Sequence, residues 1–209
     1  MESILVYGDS NTWGLIPGSS PHKRYPFDIR WTGVLQKKLK GIRILEEGLC
    51  GRTTVFDDKL RAGRNGFYVL PVILESQCPI DNAIIMLGTN DCKRIYGATS
   101  YVIGKGMERC LDVLESYVRK ERILLISPIE LGGNVWRPEK DPEFDERSVR
   151  TSKELKAIYE GIAKKRGINF LAASDYVAAD DKDDEHLNED GHVIFANAVY
   201  EKLKAMGVL

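Results

Sequence analysis

Five short apolar runs recur along the chain: Ile4–Tyr7, Ile42–Leu45, Ala83–Leu87, Ile123–Ile126 and Ile168–Leu171. The third and fourth are apolar at every position. A strand covered on both faces needs that pattern, which points to a parallel sheet rather than a half-solvated one. Helical spacing fills the intervals. Trp31, Val34, Leu35 and Leu39 fall at i, i+3, i+4 and i+8, and Met107, Cys110, Leu111, Leu114 and Val118 repeat the stripe. Leu155, Ile158, Tyr159, Ile162 and Ala163 form a third set, and Phe195, Ala198, Val199 and Leu203 a fourth. Each predicts a helix with one apolar face. Pro71 suits the first turn of a further short helix running through Glu75. The order β-α-β-α-β-α-β-α-β-α predicts a doubly wound α/β fold with three layers, α/β/α. Five strands suggest a flavodoxin-like parallel sheet in the order 2-1-3-4-5. The segment from Pro128 to Arg147 has no period, and an irregular stretch of that length in a compact domain is usually functional or mobile.

Composition narrows the class. The 209 residues fit one domain, 1–209, and 43% hydrophobic with 29% charged residues is ordinary for a globular chain. A formal net charge of -1 gives no basic excess, so no nucleic-acid partner is expected. No run approaches the ~18 apolar residues of a membrane span, and Met-Glu-Ser-Ile-Leu-Val-Tyr lacks the basic start of a signal peptide. The expected location is cytoplasmic, with no membrane partner. Cys50, Cys78, Cys92 and Cys110 form no Cys-x-x-Cys pair, and there are three histidines, so no structural zinc site of the usual spacing is expected.

In such folds ligands bind beyond the carboxyl ends of the strands. The segments following strands 1, 2, 3 and 5 are Gly8-Asp9-Ser10-Asn11, Gly48-Leu49-Cys50-Gly51-Arg52, Gly88-Thr89-Asn90-Asp91 and Asp183-Asp184-Glu185-His186. All four should converge at one sheet edge. Acyl transfer needs a nucleophile, a base, an orienting carboxylate and oxyanion donors. Ser10, His186 and Asp183 can fill the first three roles. The Ser10 N–H, the Gly51 N–H and the Asn90 side-chain amide can supply the donors. That chemistry implies no metal or cofactor.

These four blocks resemble those of the SGNH hydrolases, also called the GDSL family, whose Ser, Gly, Asn and His match Ser10, Gly51, Asn90 and His186, with Asp183 matching the acid of the Asp-x-x-His block. The resemblance spans nearly the whole chain. Arg30-Trp31-Thr32-Gly33, Glu46-Glu47-Gly48-Leu49, Arg52-Thr53-Thr54 and Ile85-Met86-Leu87-Gly88-Thr89-Asn90-Asp91 are similar to the small bacterial arylesterase/acyltransferase branch. That likeness implies cleavage of short acyl esters, acyl transfer to alcohols, a small-molecule ester as partner and homo-oligomeric assembly. Two features depart from the branch. The 128–147 segment matches poorly, and Asp184 stands where the branch carries Gly, adding a charge beside the base.

Other readings of single residues compete. Ser10 could merely cap a turn. His22 reads as solvated and His192 as a helix-face or packing residue inside the last helix, whereas His186 precedes that helix, next to an expected cap at Asn188. The acidic run Asp180–Glu185, Asp183 apart, reads as a solvated loop. Asp9 and Asp91 are expected to accept local N–H bonds and stiffen their turns. Cys50 or Cys92 could serve a cysteine hydrolase, though Ser10 already fits. Trp13 is expected to line the substrate pocket, Trp136 and Phe144 less so, and Lys93 and Arg94 to form a solvated rim. Small aryl or alkyl esters are the expected substrates. The alternatives are a carbohydrate O-deacetylase using the same residues and a noncatalytic flavodoxin-like binding module.

Overall fold

Every strand of the structure runs parallel to its neighbours, as the uninterrupted apolar runs demand. The computed structural model describes residues 2–209. The strands are β1 (Glu2–Gly8), β2 (Ile42–Gly48), β3 (Asn82–Met86), β4 (Ile123–Ser127) and β5 (Asn169–Ala172). Their order across the sheet is β2-β1-β3-β4-β5. Ile4 lies opposite Ile44 on one side and Asn82 on the other, and Ile84 lies opposite Leu124. This is the doubly wound arrangement the pattern predicts, with the centre of the sheet sealed on both faces.

Alternation along the strands divides the core in two. Leu5, Tyr7, Ile85 and Leu125 point to one face. There they meet α3 (Gly66–Gln77), α4 (Ser100–Glu115) and α5 (Glu146–Arg166) through Leu74, Met107, Leu111, Leu155 and Tyr159. Ile4, Val6, Ile84, Leu124 and Ile126 point to the other face, against α2 (Trp31–Lys38) and α6 (Glu189–Ala205). Trp31 and Phe195 meet edge to face at 5.1 Å between those two helices. Such a pair adds ~0.5–1.5 kcal/mol to the burial of its rings.

Side-chain caps set where the helices begin. Asn188 accepts the Gly191 N–H and opens α6, as expected. Asp145 and Ser148 form a reciprocal capping box at the start of α5. Asn65 accepts the Tyr68 N–H and opens α3 at Gly66. This corrects the reading of Pro71 as a first-turn residue. It lies in the second turn, where its missing N–H removes one bond from the helix ladder. The segment between β4 and α5 is irregular, as its lack of period predicts, and is held by turns such as Val135 N–H to Gly132 O and Asp141 N–H to Val135 O. Among the described residues no helix is long and apolar enough to cross a membrane.

Candidate active site

The chain turns sharply where β1 ends. A Cβ on Gly8 would fall 2.1 Å from Thr12 Oγ1, so glycine alone lets the strand run directly into the one-turn helix α1 (Ser10–Trp13). Asp9 caps that turn by accepting the Asn11 N–H, as expected. Asn11 does more than the sequence reading assigned it. Its amide donates to Glu185 O at 3.1 Å and its Oδ1 accepts the Leu187 N–H at 2.9 Å. The Ser10 turn is thereby fastened to a loop about 175 residues away in sequence.

That loop carries His186. Asp183 Oδ1 accepts the N–H groups of Glu185 and His186, both at 3.0 Å. Its Oδ2 accepts His186 Nδ1–H at 2.8 Å and the Gly18 N–H at 2.9 Å. On the far side of the ring, Ser10 Oγ–H donates to His186 Nε2 at 2.8 Å. All three side chains are buried. Burial alone would raise the Asp183 pKa, but the His186 hydrogen bond, its charge and the two backbone donors bring it down to about 2. Burial alone would discharge the His186 ring. The charges of Glu185, Asp183 and Asp9 and the hydrogen bond to Asp183 outweigh that and raise its pKa to about 9.

Hydrogen-bond donors collect opposite this chain of residues. Among the described residues, the N–H groups of Ser10 and Gly51 have no acceptor. Asn90 spends one amide hydrogen on Arg52 O at 3.2 Å and keeps the other. Gly51 has φ +81°, a left-handed conformation that favours glycine. Asp91 fixes the two turns relative to one another, because its carboxylate accepts both the N–H and the hydroxyl of Thr54. Burial still pushes the Asp91 pKa up to about 7 against those bonds. Arg52 gives Nη1–H to Gly8 O at 2.8 Å and stacks on the Tyr7 ring at 4.1 Å, joining the ends of β1 and β2. A hydroxyl bonded to an imidazole, the imidazole bonded to a carboxylate and donors nearby form a constellation that can carry out acyl transfer.

Ser10, Gly51, Asn90, Asp183 and His186 all line one cavity of about 420 Å³. Its wall is mixed, with the charged residues Arg61, Lys93, Glu143, Lys140, Lys182 and Glu185 among the lining residues beside Leu15 and Cys50. Trp13 is not brought there. The single turn of α1 carries its ring away, to lie under the Arg24 guanidinium at 5.1 Å, and Arg24 is itself held by Glu46. Trp136 and Phe144 line a different, shallower hollow. Lys93 is no solvated rim residue. Its side chain is 4% exposed and its ammonium pairs with Glu143 inside the cavity, whereas Arg94 is exposed.

The acidic run is likewise not a solvated loop at its end. Asp184 and Glu185 are both buried. Asp184 adopts a left-handed φ of 58°, and its carboxylate pairs with the 134–140 segment rather than with His186. It accepts Lys140 Nζ–H at 2.7 Å and the Asn134 N–H at 3.1 Å, and its carbonyl accepts the Gly132 N–H at 2.8 Å. The extra charge therefore anchors the irregular 128–145 segment. Glu185 takes the place beside the base, with Oε1 3.7 Å from His186 Nε2. Burial pushes its pKa up to about 7, against the pull of His186 and Lys93.

The remaining candidates are placed elsewhere. His22 is exposed at the cavity mouth. His192 is buried in α6, where its Nδ1 accepts the Trp31 N–H at 3.3 Å. Burial pushes the Cys50 thiol up to about 12 and the Cys92 thiol well above its usual range, so neither supplies a thiolate. Among the described residues no group of three or more His, Cys, Asp or Glu side chains is placed to hold a metal ion.

The chain is similar to known proteins in sequence and fold. Residues 6–194 match the family described as GDSL-like lipase/acylhydrolase. Est24, a carbohydrate acetylesterase from Sinorhizobium meliloti, is 36% identical over 99% of this chain and 100% of its own, with a TM-score of 0.89. The aryl esterase of M. smegmatis is 30% identical over 99% of this chain and 100% of its own, with a TM-score of 0.90. A carbohydrate acetylesterase family member from Sinorhizobium meliloti is 30% identical over the whole of both chains, with a TM-score of 0.89. No curated protein sequence matches the chain.

Proposed function

Because the chain belongs to the GDSL-like lipase/acylhydrolase family and acts on esters, we propose that it does so through an acyl-enzyme on Ser10. One observation carries this reading: the continuous relay from Ser10 Oγ to His186 Nε2 and from Nδ1 to Asp183, each link 2.8 Å. His186 takes the hydroxyl proton as Ser10 attacks the ester carbonyl. The oxyanion is received by the Ser10 N–H, the Gly51 N–H and the free Asn90 amide hydrogen. Each donor of this kind typically contributes ~2.7–4 kcal/mol to the transition state. His186, stabilised as imidazolium by Asp183, then protonates the departing alcohol. Water enters, His186 removes its proton, and the acyl group leaves as the acid.

The cavity wall bears on the substrate. Arg61, Lys93, Glu143, Lys140 and Glu185 offer hydrogen bonds and charge, and among the described residues no Phe, Tyr or Trp lines the space. Lys93 and Lys140 already pair with Glu143 and Asp184, but among the described residues nothing donates to the Glu185 carboxylate, and a bare aryl or alkyl alcohol would leave it and the spare donors of the two lysines unmatched, at a desolvation cost. A hydroxyl-rich alcohol could pair with them. This favours the O-deacetylase alternative over the small aryl and alkyl esters expected from sequence, with a short acyl chain on a polar, polyhydroxy alcohol as substrate. Similar structures carry both names, aryl esterase and carbohydrate acetylesterase, and the charged groups of the wall support the second reading. The test compares kcat/KM on a panel of acetylated sugars with simple alkyl acetates of matched leaving-group basicity. Higher values on the sugars are expected. Equal or lower values on every sugar ester would return the apolar reading.

A further inference from the structure

Glu185 is buried beside the reacting nitrogen, 3.7 Å from it. Its side chain is 7% exposed and lines the cavity. Among the described residues no group donates a hydrogen bond to its carboxylate oxygens. Its backbone is held at both ends, by Asp183 Oδ1 at the N–H and by Asn11 at the carbonyl. Lys93, the nearby cation, is already paired with Glu143. The 3.7 Å from Oε1 to His186 Nε2 is too long for a direct hydrogen bond. One oxygen at roughly 2.8–3.2 Å from each can still be shared by both, at an angle narrower than ideal.

That oxygen has a role once Ser10 is acylated. Nε2 then loses the Ser10 hydroxyl as its partner, and the second nucleophile must bring its oxygen within ~2.6–3.2 Å of Nε2. An oxygen there also lies within hydrogen-bond reach of Oε1. Water has two O–H groups, one for each acceptor. A monohydric alcohol has one. If that proton goes to Nε2, the alcohol turns carbon toward a buried carboxylate that has lost its water, which is unfavourable.

We propose that Glu185 orients the water that resolves the acyl-enzyme, and so directs the acyl group to water rather than to monohydric alcohols. This rests on the acyl-enzyme reading above. The water oxygen forms the new bond to the acyl carbon and its proton passes to Nε2. The bond from the acyl carbon to Ser10 Oγ then breaks, Oγ recovers a proton from Nε2, and the carboxylic acid departs. Glu185 keeps its charge throughout. A vicinal diol can imitate water, giving one hydroxyl to Nε2 and the other to Glu185, and should compete better than a monohydric alcohol of similar size.

The partition of a common intermediate tests this and does not depend on how much of a variant is folded. The enzyme is supplied with 4-nitrophenyl acetate or phenyl acetate together with 1-propanol or 1,2-propanediol, well above pH 7 so that Glu185 is ionised. The ratio of new ester to acetic acid is measured for wild type, Glu185→Leu and Glu185→Gln. With 1-propanol the Leu variant should raise the ratio about tenfold or more, the share of one charge-assisted hydrogen bond. The Gln variant, which keeps size and one acceptor oxygen, should raise it less, and the advantage of the diol should be erased in the Leu variant and reduced in the Gln variant. Ratios unchanged in both variants would overturn the role of Glu185 and leave the acyl-enzyme standing. A ratio that differs between the two acetyl donors would overturn the common acyl-enzyme and the role of Glu185 with it.

Discussion

The carboxylate of Glu185 stands 3.7 Å from Nε2 of His186, beyond hydrogen-bond reach but close enough for its charge to act on the ring. It joins Asp183 and Asp9 in favouring the imidazolium, with Lys93 the nearby cation. The His186 pKa is raised to about 9 from an ordinary value near 6.5, and the base must be neutral to accept the Ser10 proton. The kcat/KM of a substrate limited by chemistry should therefore climb with pH through a midpoint above 6.5 and toward 9. Glu185→Gln removes a negative charge, so the imidazolium loses stabilisation and the midpoint moves down. A pH profile of both proteins checks this, and an unmoved or rising midpoint in the variant would contradict it.

Asn90 offers one amide hydrogen to the cavity and commits the other to Arg52 O. Asn90→Ala should lower kcat by about 10²–10³ with a much smaller change in KM, the signature of a donor used mainly in the transition state. Steady-state kinetics on one acetyl ester decide it. A loss confined to KM would mean that the amide binds ground-state substrate instead.

Asp184 holds a left-handed backbone and uses its carboxylate to tie Lys140 and Asn134 to the loop before α6. Asp184→Gly relieves a conformation that costs a non-glycine residue on the order of 1 kcal/mol, but it releases the 132–140 wall of the cavity. The expected result is a KM higher by roughly threefold to tenfold, or ~0.7–1.4 kcal/mol of binding. The acid limb of the pH profile should stay in place, because this carboxylate pairs with Lys140 and the Asn134 N–H rather than with His186. A shifted limb with unchanged KM would show that its charge, not its clasp, is what matters.

His192 is buried and neutral, its pKa lowered to about 4 by burial, with Arg30 adding to the effect. The unfolded chain binds a proton near pH 6.5, while the folded chain resists until about 4. The folded pKa is depressed, so the stability tied to His192 is full above 6.5 and is lost as pH falls toward 4. The loss is of order 2–3 kcal/mol across that window. Glu185 and Asp91, both raised to about 7, titrate in the opposite sense there, so the useful quantity is a difference. Denaturant unfolding at several pH values should show that His192→Asn, whatever its baseline stability, lacks this component. Parallel stability curves for the two proteins would rule it out.

Much of the fold could be read from the sequence because the inner strands β3 and β4 have no solvent-facing side to mislead. Ile123–Ile126 had to lie in the centre of a sheet covered on both sides, and it does. The site was legible for a related reason. A parallel sheet brings every strand's carboxyl end to one edge, so the segments holding Ser10, Gly51, Asn90 and His186 had to converge. Residues whose behaviour depends on partners distant in sequence were not legible. Glu185 and Asp184 sit in an acidic run that reads as solvated. What buries them is Asp183 drawing the loop inward, Asn11 from the first turn and Lys140 from a segment without period. Trp13 is misread because a one-turn helix reverses where its ring points. The start of α3 is hidden because its cap, Asn65, precedes a glycine rather than an apolar residue.

The central claim is covalent chemistry at Ser10. Intact-protein mass spectrometry after treatment with a fluorophosphonate, followed by peptide mapping, tests it most directly. The expected result is one adduct, on the peptide containing Ser10, lost in Ser10→Ala and slowed in His186→Ala. Folded, ester-hydrolysing protein with no adduct, or with the adduct on Cys50 or another residue, would contradict it.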